Sequence, residues 1–258
     1  MSAYFERLSP TRFRATEQTQ GAWDATQMHV APVIGLLTHV IETHRDARRD
    51  DGHALTRISV DILGTMPVGE LDVDVRVLRA GRTIELVEAT LAHAGRTALV
   101  ARAWLQQKYH TAAVQWSGIA PIPGPDELEP FEPASGWAGT FARTIDGRRR
   151  IFEPGRGQVW LKLRLPLLED EPVSTTAQVL GVADIANGMT PRLAPDVASY
   201  PNLDLTVHLF REPVTAWAGF DTAVSIGADG IGLTRTALHD IHGPIGTSAQ
   251  VLTVRMRA

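Results

Sequence analysis

The chain contains no cysteine. Disulfides, thiolate metal sites and a cysteine nucleophile are therefore excluded, and the absence fits a reducing compartment. No apolar run approaches the ~20 residues that a helix needs to cross a bilayer. The opening MSAYFERLSP lacks the apolar stretch of a secretion signal, so a cytoplasmic location is the expectation. Positive charge is not in excess: 25 Lys and Arg face 29 Asp and Glu, for a net charge of -4. A basic footprint for nucleic acid is missing. The one tight basic run, Arg148-Arg149-Arg150, follows Asp146-Gly147. It reads either as a solvated hairpin turn or as a contact for an anionic group such as a nucleotide phosphate.

Catalytic motifs are scarce too. No Gly-x-Ser-x-Gly elbow is present, which argues against a serine α/β-hydrolase. Its nearest echo, Gly246-Thr-Ser248-Ala-Gln250, falls inside a strand pattern. Gly227-Ala-Asp-Gly230-Ile-Gly232 loosely imitates a phosphate loop, but it joins two strands where a dinucleotide loop joins a strand to a helix. The nine histidines show no metal spacing. His39 and His44 lie five apart on a helix and face different ways. His239 and His242 flank a predicted turn. Surface or core histidine is the preferred reading of each, and no metal or cofactor is implied.

What the chain does contain is a repeat. Residues 56–104 and 202–255 are both trains of alternating strands. Each has a proline in its first turn (Pro67, Pro213), then a glycine hairpin (Gly81; Gly227 and Gly230), then a second (Gly95, Gly243). An apolar helical stretch precedes each, at 30–43 and 174–188. The spacing predicts strands at 12–18, 55–66, 70–79, 82–93, 97–108, 137–145, 158–165, 203–211, 215–226, 231–240 and 245–256. Val73, Val75 and Val77 alternate with Asp72, Asp74 and Arg76, as in a half-buried antiparallel strand. Helix 30–43 has apolar residues on nearly every side and needs wrapping. Ser174 or Thr175 suits the cap of the second helix and Gly188 its exit. Five prolines fall within 118–134, which reads as a linker with no element of its own. The expected organisation is α+β: 1–117, a proline-rich linker 118–134, and 135–258, each half a sheet curled around a helix.

The strongest chemical signal lies in the second helix, AQVLGVADIANGM. Asp184 stands among Leu180, Val182, Ala183, Ile185 and Ala186. An ionised carboxylate in such a wrap costs several kcal/mol unless paired or hydrogen-bonded. Either it occupies a narrow exposed stripe or pairs with an arginine, or it is a partly desolvated base able to take a proton from water. Asn202 opens one strand and Gln250 lies in the last; neutral amides can hold a water or a carbonyl oxygen without adding charge. Each alone also reads as ordinary strand hydrogen bonding. Together the three form a water-activating set with no covalent nucleophile.

These residues resemble a known family. Asn202-Leu-Asp204-Leu-Thr-Val-His208-Leu-Phe-Arg211-x-Pro213, Trp217, Gly230-x-Gly232, Leu238-x-Asp240-x-x-Gly243 and Gln250-x-Leu-x-Val-Arg255 are similar to the C-terminal half of the acyl-CoA thioesterase II type, double-hotdog proteins with thioesterase-like members in actinobacteria. Pro154-Gly155-x-Gly157-x-x-Trp160-Leu-Lys-Leu-Arg164 and Val182-Ala-Asp184 extend the match over most of 150–257. The N-terminal half matches in layout, including Leu78-Arg79-x-Gly81-Arg82. The resemblance implies a double hotdog that hydrolyses acyl-CoA thioesters. Asp184, Asn202 and Gln250 would be catalytic, with Asn202 standing where the family has Thr or Ser. It further implies a helix N-terminus for the oxyanion, an acyl chain beside Leu36, Leu37 and Val40, acyl-CoA as partner, a place in lipid metabolism and a homo-oligomer. Two alternatives stand beside it. One is an acyl-CoA binder of the same fold without turnover. The other is a hydratase using Asp24 and His29, just before the first helix.

Overall fold

Alternation in the first repeat and its copy produces long antiparallel strands, and the two apolar stretches produce helices on one side of them. The computed structural model describes residues 2–135 and 137–257. The elements run β1 (Phe5–Ser9), β2 (Arg12–Ala15), α1 (Val30–Asp46), β3 (Ala54–Ile62), β4 (Glu70–Arg79), β5 (Ile84–His93), β6 (Arg96–Gln106), β7 (Glu129–Phe131), β8 (Ile145–Glu153), β9 (Arg156–Leu163), α2 (Thr175–Leu180), α3 (Ala186–Met189), β10 (Ala198–Ser199), β11 (Asp204–Leu209), β12 (Ala218–Ile226), β13 (Ile231–Asp240), β14 (Gly243–Thr253) and β15 (Arg255–Met256). The architecture is α+β, as expected.

All strands except β10 and β15 join one 13-stranded sheet in the order β1-β2-β4-β5-β6-β3-β11-β14-β13-β12-β9-β8-β7. That order is nearly a palindrome. β3 pairs antiparallel with β11, Leu205 opposite Val60 and Val207 opposite Ile58. Outward from this seam, β6 answers β14, β5 answers β13, β4 answers β12, β2 answers β9 and β1 answers β8. The repeat is thus wider than its sequence signal, because a two-strand hairpin precedes each helix.

The N-terminal segment also crosses to the other half: the backbone N–H groups of Tyr4 and Phe5 donate to Pro166 and Leu167 carbonyls. Arg7 grips Glu171 with two hydrogen bonds, at 2.7 and 2.8 Å, and His39 Nε2 lies 2.7 Å from the same carboxylate.

Helix α1 starts where the His29 imidazole accepts a hydrogen bond from the Ala31 N–H at 3.1 Å. Pro32 fits its first turn, where a missing N–H costs nothing. Residues from Ala31 through Glu42 are all buried. Helix α2 starts at Ser174, whose hydroxyl accepts from Ala177 N at 2.9 Å. The two helices press together at glycine: a Cβ on Gly35 would lie 2.9 Å from both the Ala177 carbonyl oxygen and Gly181 Cα. Only glycine permits that approach.

Several expectations fall to local contacts. The 174–188 helix is three pieces: α2 ends at Gly181, Ala183–Ile185 is a 3₁₀ turn, and α3 follows, with Gly188 inside it. The expected 137–145 strand is instead loop and a 3₁₀ turn at Phe141–Thr144. Gly139, at φ +75°, lies so close to the Gln20 and Gly21 carbonyls that this stretch packs on the first half, and strand pairing begins only at Ile145. Arg148–Arg150 lie within β8, not in a turn. Gly147 is there because Phe131 occupies the space where a Cβ would go, 2.7 Å away. The linker carries a short strand, β7, and docks through Trp160 Nε1, which donates to Pro123 O at 2.8 Å. The 12–18 strand is shorter and is preceded by β1, which the sequence pattern did not reveal.

Filling the helix crossing tests its role. Gly35→Ala forces α1 off α2 and is expected to destabilise by roughly 1–3 kcal/mol. At about 2–4 °C per kcal/mol for a chain of this size, scanning calorimetry should show a clear fall in Tm, whereas Gly69→Ala, where a Cβ would meet only the His93 ring at 3.8 Å, should give a much smaller change.

Candidate active site

The interruption of the second helix frees both the main chain and the side chain of Asp184. The residue is only 3 % exposed. Asn202 Nδ2 donates to Asp184 Oδ1 at 2.6 Å and to the Asp204 carbonyl at 3.0 Å. Gln250, on β14 and 1 % exposed, donates through Nε2 to the Asp184 carbonyl at 2.8 Å and to Oδ1 at 3.2 Å. The three residues singled out in the sequence therefore meet. The opposite amide orientation of Gln250 would set an oxygen against both Asp184 oxygens, so the nitrogen faces the acid. Asp204 braces the group from the strand below, where its Oδ1 accepts from Val251 N at 2.7 Å.

The second carboxylate oxygen is left free. Among the described residues no donor reaches Oδ2 within hydrogen-bond distance, and His29 Nδ1 lies 3.9 Å away. That nitrogen already accepts from Ala31 N, so the imidazole carries its proton on Nε2. Burial holds His29 neutral by lowering its pKa to about 4. Burial also pushes Asp184 up to about 6. The Asn202 and Gln250 donors oppose that rise and the Asp204 charge adds to it. The site thus holds a desolvated carboxylate, ionised at neutral pH, beside a neutral imidazole, with no cation to quench it.

Asp184 lines a cleft of about 290 Å³ between the halves. The first half contributes the loop from Gly21 to Val30 and the end of β3 with Gly64, Thr65 and Met66. The second contributes Asp184, Asn187, Pro201, Asn202 and Leu203. Gln250 does not line this cleft; it stands behind the acid. Leu36, Leu37 and Val40, expected beside an acyl chain, do not line it either: they are packed in the core. Asp24 accepts from the backbone and hydroxyl of Thr26, at 2.8 and 2.7 Å, and makes no pair with His29. The acid that His29 does approach is Asp184 of the other half, at 3.9 Å and without a hydrogen bond. Its place as helix cap, one step before an apolar helix with proline in its first turn, was the signal for that position. Among the described residues no group of three or more His, Asp or Glu could hold a metal ion, and no helix is long and apolar enough to cross a membrane.

The family models decide the affiliation. Residues 117–254 match the acyl-CoA thioesterase C-terminal domain and residues 19–106 match the acyl-CoA thioesterase N-terminal domain. The chain belongs to the acyl-CoA thioesterase family. Solved structures share its fold. A hot dog fold protein of unknown function from Alicyclobacillus acidocaldarius is 12% identical, with 98% of this chain and 96% of that one covered and a TM-score of 0.76. Acyl-CoA thioesterase II TesB2 from Mycobacterium marinum is 15% identical, over 98% and 96%, at 0.69. The tesB protein of Mycobacterium avium subs paratuberculosis is 17% identical, over 97% and 96%, at 0.68. Among curated proteins none matches. The fold is of the hotdog type, and the family's chemistry is thioester hydrolysis.

The buried acid should be costly to the fold. An Asp with an ordinary pKa of 3.8 in the unfolded chain and about 6 when folded binds a proton more readily in the native state. Native stability therefore falls as pH rises from about 4 to about 6, leaving the folded state short by about 3 kcal/mol above that range. Asp184→Asn should be more stable than the parent at pH 7.5 by up to that amount, with the gain vanishing below pH 4, in urea titrations at both pH values.

Proposed function

We propose that this protein is a double hotdog, with modules 1–117 and 135–258 joined by the 118–134 linker, and that it hydrolyses acyl-CoA thioesters with Asp184 as general base. The observation that carries the reading is the carboxylate itself. One oxygen is held by two neutral amides and the other is left free, on a residue that lines the cleft, with a pKa close to working pH.

A water at Oδ2 gives its proton to Asp184 as its oxygen attacks the thioester carbonyl carbon. Asn202 helps to place that water. Its Nδ2 is spent on Asp184 and Asp204, while its Oδ1 receives no hydrogen bond among the described residues and is free to accept one from water. An amide here thus serves where the family has a hydroxyl. Gln250 is a positioning residue, fixing the carboxylate from behind. The developing oxyanion meets the start of α1, where Val30 lines the cleft and the helix dipole favours negative charge. Collapse of the tetrahedral intermediate breaks the C–S bond. The proton held on Asp184 passes to the departing CoA thiolate, leaving the free acid. His29 offers Nε2–H as its only donor, suited to the carbonyl oxygen; with its Nδ1 lone pair taken by Ala31 N–H and its pKa lowered to about 4, it is a weaker base than Asp184.

Free CoA released from acyl-CoA, followed with a thiol reagent, tests this directly. Asp184→Ala should lower kcat by ~10²–10⁴-fold with KM little changed. Asn202→Ala should cost less, and Asn202→Thr should retain more activity than Asn202→Ala. Wild-type rates in Asp184→Ala would refute the mechanism. A wild type that binds acyl-CoA but never releases CoA would make the protein a binder.

A further inference from the structure

A second cavity begins on the far side of His29 and Asn187. Those two residues, with Ala22 and Trp23, line both it and the cleft that holds Asp184. Its other walls include Trp137, Phe141 and Met189. It is small, about 30 Å³, which is room for roughly two water-sized groups and hence for a few carbon atoms. Both spaces are mainly apolar, but only the larger cleft adds the polar side chains of Asp24, Gln27, Thr65 and Asn202, which suit the amide-rich arm of a thioester carrier. The smaller cavity presents aromatic rings.

Those rings are held in place. Trp23 meets Trp137 edge to face at 4.9 Å and 88°, and meets Tyr200 at 5.2 Å and 90°. His29 and Phe141 stack tilted at 4.8 Å. Trp137 lies against Gly188, where a Cβ would come within 3.3 Å of the indole. The chain bearing Trp137 and Phe141 is laced to the first half: Ala138 N and Phe141 N donate to the Ala22 and Gln20 carbonyls, each at 3.3 Å, and the Thr140 hydroxyl donates to the Glu17 carbonyl. Leu36 and Leu37 of α1 are fully buried and line neither space.

We propose that the pocket of Trp23, Trp137, Phe141 and Met189 is the acyl subsite and that it selects short acyl groups of about two to four carbons. The assignment rests on the thioesterase reading for the orientation of the thioester. A longer chain must displace an indole packed on glycine or compete with the carrier arm for the cleft. A single misplaced methylene in such a pocket costs ~10-fold or more in discrimination.

The test uses two panels on the full chain: acyl-CoA substrates from acetyl to palmitoyl, read as CoA release, and non-hydrolysable S-alkyl-CoA thioethers from ethyl to dodecyl, read by titration calorimetry. Affinity and kcat/KM should peak at two to four carbons and fall at least 10-fold by eight. Trp137→Ala should move both optima by two or more carbons. Met189→Ala, on another wall, should move them the same way and serves if the first variant does not fold. Affinity that climbs steadily to dodecyl in the wild type, or profiles unchanged in both folded variants, would overturn the assignment. Thioethers that bind with a short-chain optimum while no acyl-CoA is cleaved would uphold the pocket and remove the hydrolysis. Cleavage that is best on palmitoyl-CoA would do the reverse.

Discussion

Helices α1 and α2 touch backbone to backbone at Gly35 and Gly181, and the site depends on that contact. His29 caps the start of α1, six residues before Gly35, and Asp184 follows three residues after Gly181. With any side chain at position 35 the helices would stand apart, and the 3.9 Å approach of His29 to the acid would be lost. The pairing of β3 with β11 fixes the halves from the sheet side, and the N-terminal segment ties them from behind. A site drawn from both halves needs all three restraints, because its groups sit on opposite sides of a seam.

The chain treats buried acids in two ways. Glu88 is held by Arg76 and Arg102, and Glu85 by Arg48 and Arg49. Guanidinium partners lower the pKa of both, so these acids stay charged and inert. Asp240 is likewise clamped by Arg211. Asp184 receives only amides. Amides orient a carboxylate without neutralising it, so burial dominates and the acid remains able to take a proton. The stability forgone at this position is the physical counterpart of its basicity.

Much of this was legible in the sequence. Alternation located the long strands other than β8 to within a few residues, and the apolar residues on nearly every side of 30–41 marked the wrapped helix. The isolation of Asp184 among apolar neighbours marked the acid, and Asn202 and Gln250 do reach it. What stayed hidden depends on segments far apart in the chain. Gly147 reads as a turn but makes room for Phe131. The break after Gly181 reads as helix because the pressure of α1 is not in the local pattern. Trp23 and Trp137 lie in loops with no period at all, yet they build the inner pocket, since an aromatic contact between two loops leaves no trace in either one. His29 stands near Asp24 in sequence, whereas the acid it approaches lies 155 residues away.

The central claim is that a hydrogen-bonded but uncompensated carboxylate supplies the base. The most direct measurement is a carbon-13 NMR titration of aspartate side-chain carboxyls, with the Asp184 resonance assigned by its loss in Asp184→Asn. The account predicts a midpoint near 6 and the same midpoint in the pH dependence of kcat/KM for acyl-CoA hydrolysis. An Asp184 carboxyl that titrates near 4 or below, while the rate profile turns over elsewhere, would contradict it.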